Sequence, residues 1–172
     1  MTSKPIIRHA IASDVPLILE FITELAVYEN EPDAVLATEE LLLDTLGFNE
    51  NSKCYAKTLL IFDGEKPAGM ALYFNNYSTW RARPGIYLED LFVRPEFRGR
   101  GFGTALLAAL AQELIDTKGG RLEWSVLKWN TPSIKFYESI GAENMGKEWQ
   151  VMRLADDTLT AMATRGPEVE RR

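Results

Sequence analysis

The feature that most restricts the fold is an uninterrupted succession of strand, loop, helix and strand in the second half of the chain. The apolar stretch 86–93 predicts a central strand, and the loop after it is rich in arginine and glycine. Residues 102–117 carry leucines at helical spacing, and the glycine pair 119–120 follows as a stop signal. Residues 121–127 alternate apolar and polar side chains, which predicts a second strand. Two strands joined through a helix in this way are parallel, so we predict an α/β protein.

The remaining apolar patterns predict the elements around this unit. They are a strand at 6–10, a helix that begins at Ser13 or Asp14 and ends near Tyr28, a short helix at 38–43, a two-strand hairpin at 54–62 and 67–74, a helix that begins at Asn130 or Thr131, and a final strand at 149–154. The 172 residues suffice for one core and are few for two. We therefore predict one domain over residues 1–164 and a flexible tail over 165–172.

Composition and charge oppose several classes of function. The net charge of -6 disfavours binding to phosphate backbones, so we expect no nucleic-acid partner. The single histidine, His9, lies in the first predicted strand, and the single cysteine, Cys54, can form no internal disulfide, so we expect no metal site and no redox pair. No apolar run reaches the ~20 residues of a membrane helix, and we expect no secretory signal. These features favour the cytoplasm and no membrane partner.

Charges are distributed unevenly along the chain. Residues 13–50 contain ten of the 25 acidic residues and no lysine or arginine, which favours a cationic ligand near this region. Residues 94–100, in contrast, contain three arginines and one glutamate. A basic loop in an acidic protein indicates that an anionic ligand binds at that loop.

The loop itself has the composition of an anion site. Between the predicted strand and helix the chain reads Arg98, Gly99, Arg100, Gly101, Phe102, Gly103, Thr104. Glycines let backbone N–H groups approach a ligand, and the helix N-terminus adds a partial positive charge, so a pyrophosphate is expected to fit. The loop differs from the nucleotide-triphosphate loop and from the dinucleotide fingerprint, because no Gly-Lys-Ser/Thr follows and its glycines are spaced Gly-x-Gly-x-Gly.

These motifs resemble those of the Gcn5-related N-acetyltransferases, the GNAT family. Residues 98–103 fit the family motif Arg/Gln-x-x-Gly-x-Gly/Ala, residues 88–93 fit the strand before it, and the order of elements matches over almost the entire chain. Five further stretches narrow the resemblance to the spermidine/spermine and thialysine acetyltransferase group, namely 87–90, 129–130, 132–133, 136–137 and 141–142. The resemblance implies a twisted mixed sheet with helices on both faces, whose central strands splay to admit acetyl-CoA.

The resemblance also implies where acetyl-CoA binds. The backbone of Leu91, Phe92 and Val93 corresponds to the stretch that holds the pantetheine arm and the acetyl carbonyl, and the loop 98–104 corresponds to the pyrophosphate site. The residues that meet acetyl-CoA from the other side correspond to Asn130, Thr131, Pro132 and Ser133. Acetyl-CoA is the cosubstrate implied, and no metal is expected.

The chemistry is assigned to Glu89 and Tyr137. A primary amine with a pKa near ~10 is mostly ammonium at neutral pH, so a base such as Glu89 must accept a proton before the nitrogen attacks a thioester. We expect Glu89 on the opposite strand face from Leu88 and Asp90, buried with polar partners or a ligand. Tyr137, one helical turn after Ser133, matches the general acid of the family and is placed to protonate the departing thiolate. The residues implied to contact the amine are Tyr28, Glu29, Trp80, Glu89, Asp90, Glu123, Trp124 and Ser125.

The residues before Trp80 indicate the class of substrate. Polyamine enzymes of the group carry an acidic residue shortly before the tryptophan that corresponds to Trp80, whereas this chain has Ser78-Thr79-Trp80, similar to the thialysine branch. We therefore expect a small amine with amino-acid or aminoethyl-thioether character, and polyamines or diamines are the alternative. Trp80 either lines this pocket or packs in the core. Two further alternatives are an acetyl-CoA sensor without turnover and an enzyme for protein amines. The resemblance implies a homodimer that uses the strand at 149–154.

Overall fold

The computed structural model describes residues 4–167 and 170, and the chain divides into two compact units, Met1–Ser125 and Val126–Arg172. The elements of the first unit are β1 (Ile6–His9), α1 (Val15–Tyr28), α2 (Glu39–Thr45), β2 (Lys57–Asp63), β3 (Lys66–Ser78), β4 (Arg83–Val93), α3 (Phe102–Asp116) and β5 (Leu122–Trp124). Those of the second unit are α4 (Thr131–Ser139) and α5 (Asp156–Ala163). None of the described helices has the length and apolar character needed to cross a membrane.

The five strands of the described residues form one mixed sheet in the order β1, β2, β3, β4, β5. The first three neighbouring pairs are antiparallel, whereas β4 and β5 are parallel. The parallel pair confirms the predicted unit of strand, helix and strand, because α3 forms the crossover between β4 and β5. The middle strand is β3, and β4, which we expected at the centre, lies beside it and pairs on both edges.

Helices cover both faces of the sheet. On one face, Phe21 of α1 and Leu42 of α2 belong to a buried cluster that includes Leu72 of β3. Neighbouring residues of a strand point to opposite faces, so Tyr73 points to the other side, where its hydroxyl donates to Glu113 of α3 at 2.5 Å. The structure therefore confirms the α/β class and the mixed sheet between helices.

Two helix starts follow from local hydrogen bonds. Thr38 Oγ1 accepts from the backbone N–H of Leu41 at 3.2 Å where α2 begins, and Asn130 Oδ1 accepts from that of Ser133 at 3.3 Å where α4 begins. Asp14 precedes α1 as expected, but its carboxylate accepts from the backbone N–H three residues earlier and not from the helix. The side chain of Asp14 therefore orders the entry to α1 without capping it.

The predicted final strand is wrong. Residues 149–155 have no regular secondary structure, and α5, which the sequence analysis missed, follows them. A strand needs a hydrogen-bonded neighbour, and the described sheet places none beside this stretch, where Val151 and Met152 are largely exposed. The signal for α5 was present as two aspartates ahead of Leu159 and Met162, which are three residues apart.

The ends of two other predicted segments also need comment. The strand expected at 121–127 is shorter and covers only Leu122–Trp124. Of the tail expected at 165–172, residues 165–167 and 170 lie outside helices and strands, and residues 168, 169, 171 and 172 lie outside the described residues. The flexibility of the tail and the single domain over residues 1–164 stay predictions.

Candidate active site

The last part of β4 is paired on one edge only. Its antiparallel pairing with β3 continues to Val93, whereas its parallel pairing with β5 ends at Leu88. From Glu89 onwards, no described strand covers the second edge of β4. The backbone groups of that edge are therefore open to an extended ligand that contains amides. Leu91, Phe92 and Val93, the stretch assigned to the pantetheine arm, lie along this open edge.

A β-bulge in β4 sets the direction of its acidic side chains. Leu72 pairs with Asp90 and Tyr73 pairs with Leu88, so that Glu89 has no register partner on β3. Leu88 therefore shares the α3 face with Tyr73, and Asp90 shares the α1 face with Leu72. Our expectation that Leu88 and Asp90 share a face is wrong, because the extra residue reverses the alternation. Glu89, which we expected to be buried, is exposed.

Near the end of α1, the negative charges of Glu29 and Glu89 act on the carboxyl group of Asp90. Asp90 is half-buried, and burial, together with the negative charges of Glu89 and Glu29, raises its pKa to about 6. Glu29 follows Tyr28, the last residue of α1, and burial raises the pKa of Glu29 as well. Within residues 4–167 and 170, no lysine or arginine forms an ion pair with these carboxylates. The group is therefore suited to a cationic ligand.

The raised pKa of Asp90 predicts a pH-dependent cost in stability. Its pKa rises from an ordinary value of 3.8 to about 6 on folding, so the folded protein holds the proton more tightly than the unfolded chain does. The unfolding free energy therefore falls as the pH rises from about 4 to about 6. We expect Asp90→Asn to raise the unfolding free energy by about 1–3 kcal/mol at pH 7.5 and by much less at pH 4. Denaturant unfolding at the two pH values measures this, and an equal change at both contradicts the assignment.

The glycine loop presents a helix end without a side-chain cap. Gly99 and Gly101 have φ angles of 73° and 80°, in the left-handed region that costs other residues about 1–2 kcal/mol. A Cβ at either glycine meets no atom within 4 Å, so conformation and not space requires glycine. At the start of α3, the N–H groups of Phe102, Gly103 and Thr104 have no acceptor among the described residues. Such N–H groups suit a phosphate.

Arg98 is held beside the end of β4. Its Nε donates to the carbonyl of Val93 at 2.8 Å, and its guanidinium lies 5.0 Å and 5.8 Å from the ring centroids of Tyr28 and Phe92. Arg98 thereby joins the last residue of β4 to the last residue of α1. No carboxylate of the described residues pairs with it, so its charge is available to an anion. Its role toward pyrophosphate stays a prediction.

The other two arginines of the basic loop pair with carboxylates of the chain. Arg94 binds Glu24 of α1 at 2.7 Å and also pairs with Glu20. Arg100 binds Asp63, at the end of β2, at 2.8 Å. The positive charge that the sequence places in this loop is therefore partly neutralised, and the loop offers an anion mainly backbone N–H groups and Arg98.

Two residues predicted to contact the amine, one on β5 and one directly after it, already have partners within the chain. Glu123 accepts from Asn76 Nδ2 at 2.8 Å and pairs with Arg121 at 2.7 Å. Ser125 Oγ lies 2.7 Å from the hydroxyl of Tyr87. The charge of Glu123 is thus balanced within the chain, which sets it apart from the carboxylates near α1.

The two tryptophans predicted for the amine side lie in different places. Trp124 lies opposite Leu88, at the last pair of β4 and β5. Trp80 lies in the turn between β3 and β4 and is 88% exposed, so it does not pack in the core. Of the residues predicted for the amine, Glu29 and Glu89 lie near enough to Asp90 to raise its pKa. The sequence carries no signal for the bulge between Leu88 and Asp90.

In the second unit, α4 carries the residue predicted as general acid. Asn130 is buried and caps the helix, Thr131 begins it and Pro132 lies in its first turn, which confirms this predicted helix. Tyr137 is half-buried on α4, and its ring centroid lies 5.3 Å from that of Phe136. The roles assigned to residues 130–133 and to Tyr137 stay predictions.

Known proteins match this chain over most of its length. The sequence profile of the acetyltransferase (GNAT) family matches residues 19–142. Thialysine N-epsilon-acetyltransferase of Bos taurus is 34% identical, and the match covers 91% of this chain and 96% of that protein. Spermidine/spermine N(1)-acetyltransferase-like protein 1 of Homo sapiens is 37% identical, and the match covers 91% of this chain and 23% of that longer protein.

A solved structure supports the architecture. An integron cassette protein from the mobile metagenome of V. cholerae superposes with a TM-score of 0.78 at 27% identity, and the match covers 95% of this chain and 99% of that chain. The profile match includes the open edge of β4, the glycine loop, α3 and α4, and enzymes of the matched family use acetyl-CoA as cosubstrate. The chain therefore belongs to the GNAT acetyltransferase family and is an N-acetyltransferase.

Proposed function

We propose that this enzyme transfers the acetyl group of acetyl-CoA to the primary amine of a small cationic amino acid, with thialysine as the favoured substrate. The observation that carries the proposal is the group formed by Glu29, Glu89 and Asp90, three carboxylates without a cationic partner among the described residues. The group lies where the open edge of β4 begins. An ammonium group supplies the missing positive charge beside the strand assigned to the acetyl donor.

Acetyl-CoA fits the residues of its proposed site. The open edge of β4 at 91–93 offers backbone groups to the amides of the pantetheine arm. The uncapped start of α3 offers N–H groups to the pyrophosphate, and Arg98 adds a positive charge that no described carboxylate neutralises. The resemblance assigns residues 130–133 to the same ligand. Acetyl-CoA supplies the thioester carbonyl that the amine attacks.

The side chains of the enzyme move the protons. The amine arrives as an ammonium group, and the carboxylate of Asp90 binds this positive charge. Glu89 accepts one proton, directly or through water, so that the nitrogen lone pair attacks the carbonyl carbon and forms the C–N bond. The C–S bond then breaks, and Tyr137 donates its hydroxyl proton to the thiolate that leaves. The nitrogen now bonded to the acetyl carbon gives up its second proton, which returns through water to the Tyr137 oxygen, while the proton on Glu89 passes to solvent. The acetyl group passes directly to the amine, without a covalent acetyl-enzyme.

The turn between β3 and β4 favours an amino acid over a polyamine. A polyamine carries several separated positive charges, which are best held by several separated carboxylates. This turn instead carries Arg81 next to Trp80, and Arg83 follows as the first residue of β4. Arg81 donates to the carbonyl of Gly120 at 3.0 Å, which fixes one positive charge there. The carboxylates around Asp90 then suit a substrate with one terminal ammonium.

The experiment that tests the proposal is an amine panel. Coenzyme A release from acetyl-CoA is measured with thialysine, lysine, ornithine, spermidine, spermine, short diamines and no amine. We expect kcat/KM for thialysine to exceed that for spermidine by about tenfold or more. A preference for spermidine contradicts the proposal and supports the polyamine alternative. Acetyl-CoA binding without turnover for any member contradicts a small-amine enzyme and supports a protein substrate or a sensor.

The polyamine alternative is favoured by one observation, the 37% identity to the spermidine/spermine acetyltransferase-like protein. Under this alternative, Glu29 and Asp90 replace the acidic residue that is absent before Trp80. The same panel separates the two substrate classes, because the amino acids carry a carboxylate next to their second ammonium group, whereas spermidine and spermine carry further ammonium groups and no carboxylate.

Direct transfer predicts that Cys54 is dispensable. Its thiol donates to the carbonyl of Ala56 at 3.3 Å, an acceptor that does not act as a general base. We expect Cys54→Ala to keep kcat within about twofold of the parent enzyme. Loss of turnover in a folded variant that still binds acetyl-CoA contradicts direct attack and indicates an acetyl-cysteine.

We also propose that two copies associate through residues 149–154 and that the enzyme works in the cytoplasm. Trp149, Val151 and Met152 support the association, because these large apolar side chains are 59%, 79% and 82% exposed in the single chain. Light scattering is expected to give twice the chain mass. A single-chain mass at micromolar concentration contradicts the dimer. A mass that is the same in the parent and in Val151→Asp contradicts association through this stretch.

A further inference from the structure

Asp63 connects the turn between β2 and β3 to the glycine loop. Its carboxylate lies 2.8 Å from Nη1 of Arg100, and its side chain is 25% exposed. Asp63 pairs in register with Lys66 across a tight turn in which Gly64 has a φ of 64°. Because this hairpin end is ordered by its own backbone, the backbone of Asp63 is placed independently of the loop that its side chain contacts.

Two aromatic rings hold the other side of Arg100. The guanidinium carbon lies 4.9 Å from the ring centroid of Phe102 and 5.6 Å from that of Phe97. Phe97 and Phe102 directly precede and follow the loop 98–101 in the chain, and their buried rings stack on each other at a centroid distance of 6.1 Å. A carboxylate on one side and ring faces on the other restrict Arg100 to one orientation.

We propose that Asp63 is a positioning residue for acetyl-CoA, which acts through Arg100 to keep the glycine loop in its binding conformation. The proposal rests on the proposed use of acetyl-CoA by this enzyme. Gly99 and Gly101 allow the loop many conformations, and ordering such a loop at the moment of binding weakens affinity. The ion pair to Asp63 restricts the loop beforehand, so that the N–H groups at the start of α3 already face the pyrophosphate.

Removing the charge of Asp63 changes the Kd for acetyl-CoA in opposite directions under the two possible roles of this residue. A carboxylate near a phosphate site repels the phosphate, so removing its charge strengthens acetyl-CoA binding if Coulomb repulsion is its only effect. Positioning predicts the opposite result, because Arg100 and the loop lose their anchor when Asp63 becomes neutral. The sign of the change in Kd therefore separates the two roles.

The experiment measures acetyl-CoA binding by calorimetry. We expect Asp63→Asn to raise the Kd for acetyl-CoA about threefold to fivefold, and Asp63→Glu to restore most of the affinity. In steady-state kinetics we expect Asp63→Asn to raise the KM for acetyl-CoA and to leave kcat unchanged. Glu65→Gln is the matched control, because Glu65 carries the same charge in the same turn, is exposed and makes no ion pair among the described residues.

A double-mutant cycle shows whether Asp63 acts through Arg100. In an Arg100→Gln background, we expect Asp63→Asn to leave the Kd unchanged or to lower it, because only the Coulomb effect remains. Thermal denaturation verifies that each variant is folded. A lowered or unchanged Kd in folded Asp63→Asn overturns the positioning role. If the parent enzyme itself does not bind acetyl-CoA, the proposed function fails and not this inference.

Discussion

Replacing Tyr137 by phenylalanine is expected to lower kcat by about 10² or more while acetyl-CoA still binds. The substitution removes one hydroxyl and keeps the ring, whose centroid lies 5.3 Å from that of Phe136. The departing thiolate then lacks its proton donor, so the loss belongs to kcat. Steady-state kinetics with a saturating amine and calorimetric titration of acetyl-CoA measure the two quantities separately.

The matched control for this experiment is Tyr55→Phe. Tyr55 is 65% exposed and belongs to none of the residues assigned to substrate or acetyl-CoA, so the loss of its hydroxyl is expected to leave kcat unchanged. If folded Tyr137→Phe retains kcat within about threefold of the parent enzyme, Tyr137 is not the proton donor.

Replacing Glu89 by glutamine is the second change with a large expected effect. Glu89 is exposed at the bulge and makes no ion pair among the described residues, so the substitution breaks no contact that holds the fold. We expect kcat to fall by about 10² or more at pH 7.5, because the ammonium group of the substrate has lost its proton acceptor. Thermal denaturation is expected to give an unchanged or slightly higher midpoint, because the repulsion between Glu89 and Asp90 is removed.

The pH profile distinguishes proton acceptance from substrate positioning by Glu89. As the pH approaches the amine pKa of ~10, more of the amine is already neutral, so the deficit of Glu89→Gln is expected to shrink. A deficit that stays constant with pH indicates positioning. Glu31→Gln controls for net charge, since Glu31 is exposed near Glu29. Parent-like rates for Glu89→Gln remove this residue from the mechanism and leave Asp90 as the candidate base.

Much of the fold and half of the candidate site follow from local sequence patterns. The separate strands and the helix of the βαβ unit, the glycine loop between β4 and α3, and the Asn130 cap of α4 are each indicated by residues close together in the chain. Helix periodicity, caps and left-handed glycines are set by such short-range contacts. The order of elements was therefore predictable without knowledge of the tertiary contacts.

The prediction of a final strand is wrong because strands, unlike helices, depend on contacts with a distant part of the chain. Residues 149–154 have a pattern that fits a strand, but a strand exists only when a second strand satisfies its backbone groups. Among the described residues, no strand pairs with this stretch, and it has no regular secondary structure. The six residues themselves carry no sign that a partner strand is absent.

The sequence by itself determined the family, the parallel pair of strands and the residue types of the site, because short-range spacing specifies them. Only the tertiary structure decided which side chains act together. The bulge at Glu89 turns Asp90 toward the α1 face, and the influence of Glu29 helps to raise the pKa of Asp90 to about 6. The pairing of Asp63 with Arg100 is likewise a long-range contact. Direction, burial and charge environment depend on atoms brought together from distant positions in the chain, and no local pattern encodes them.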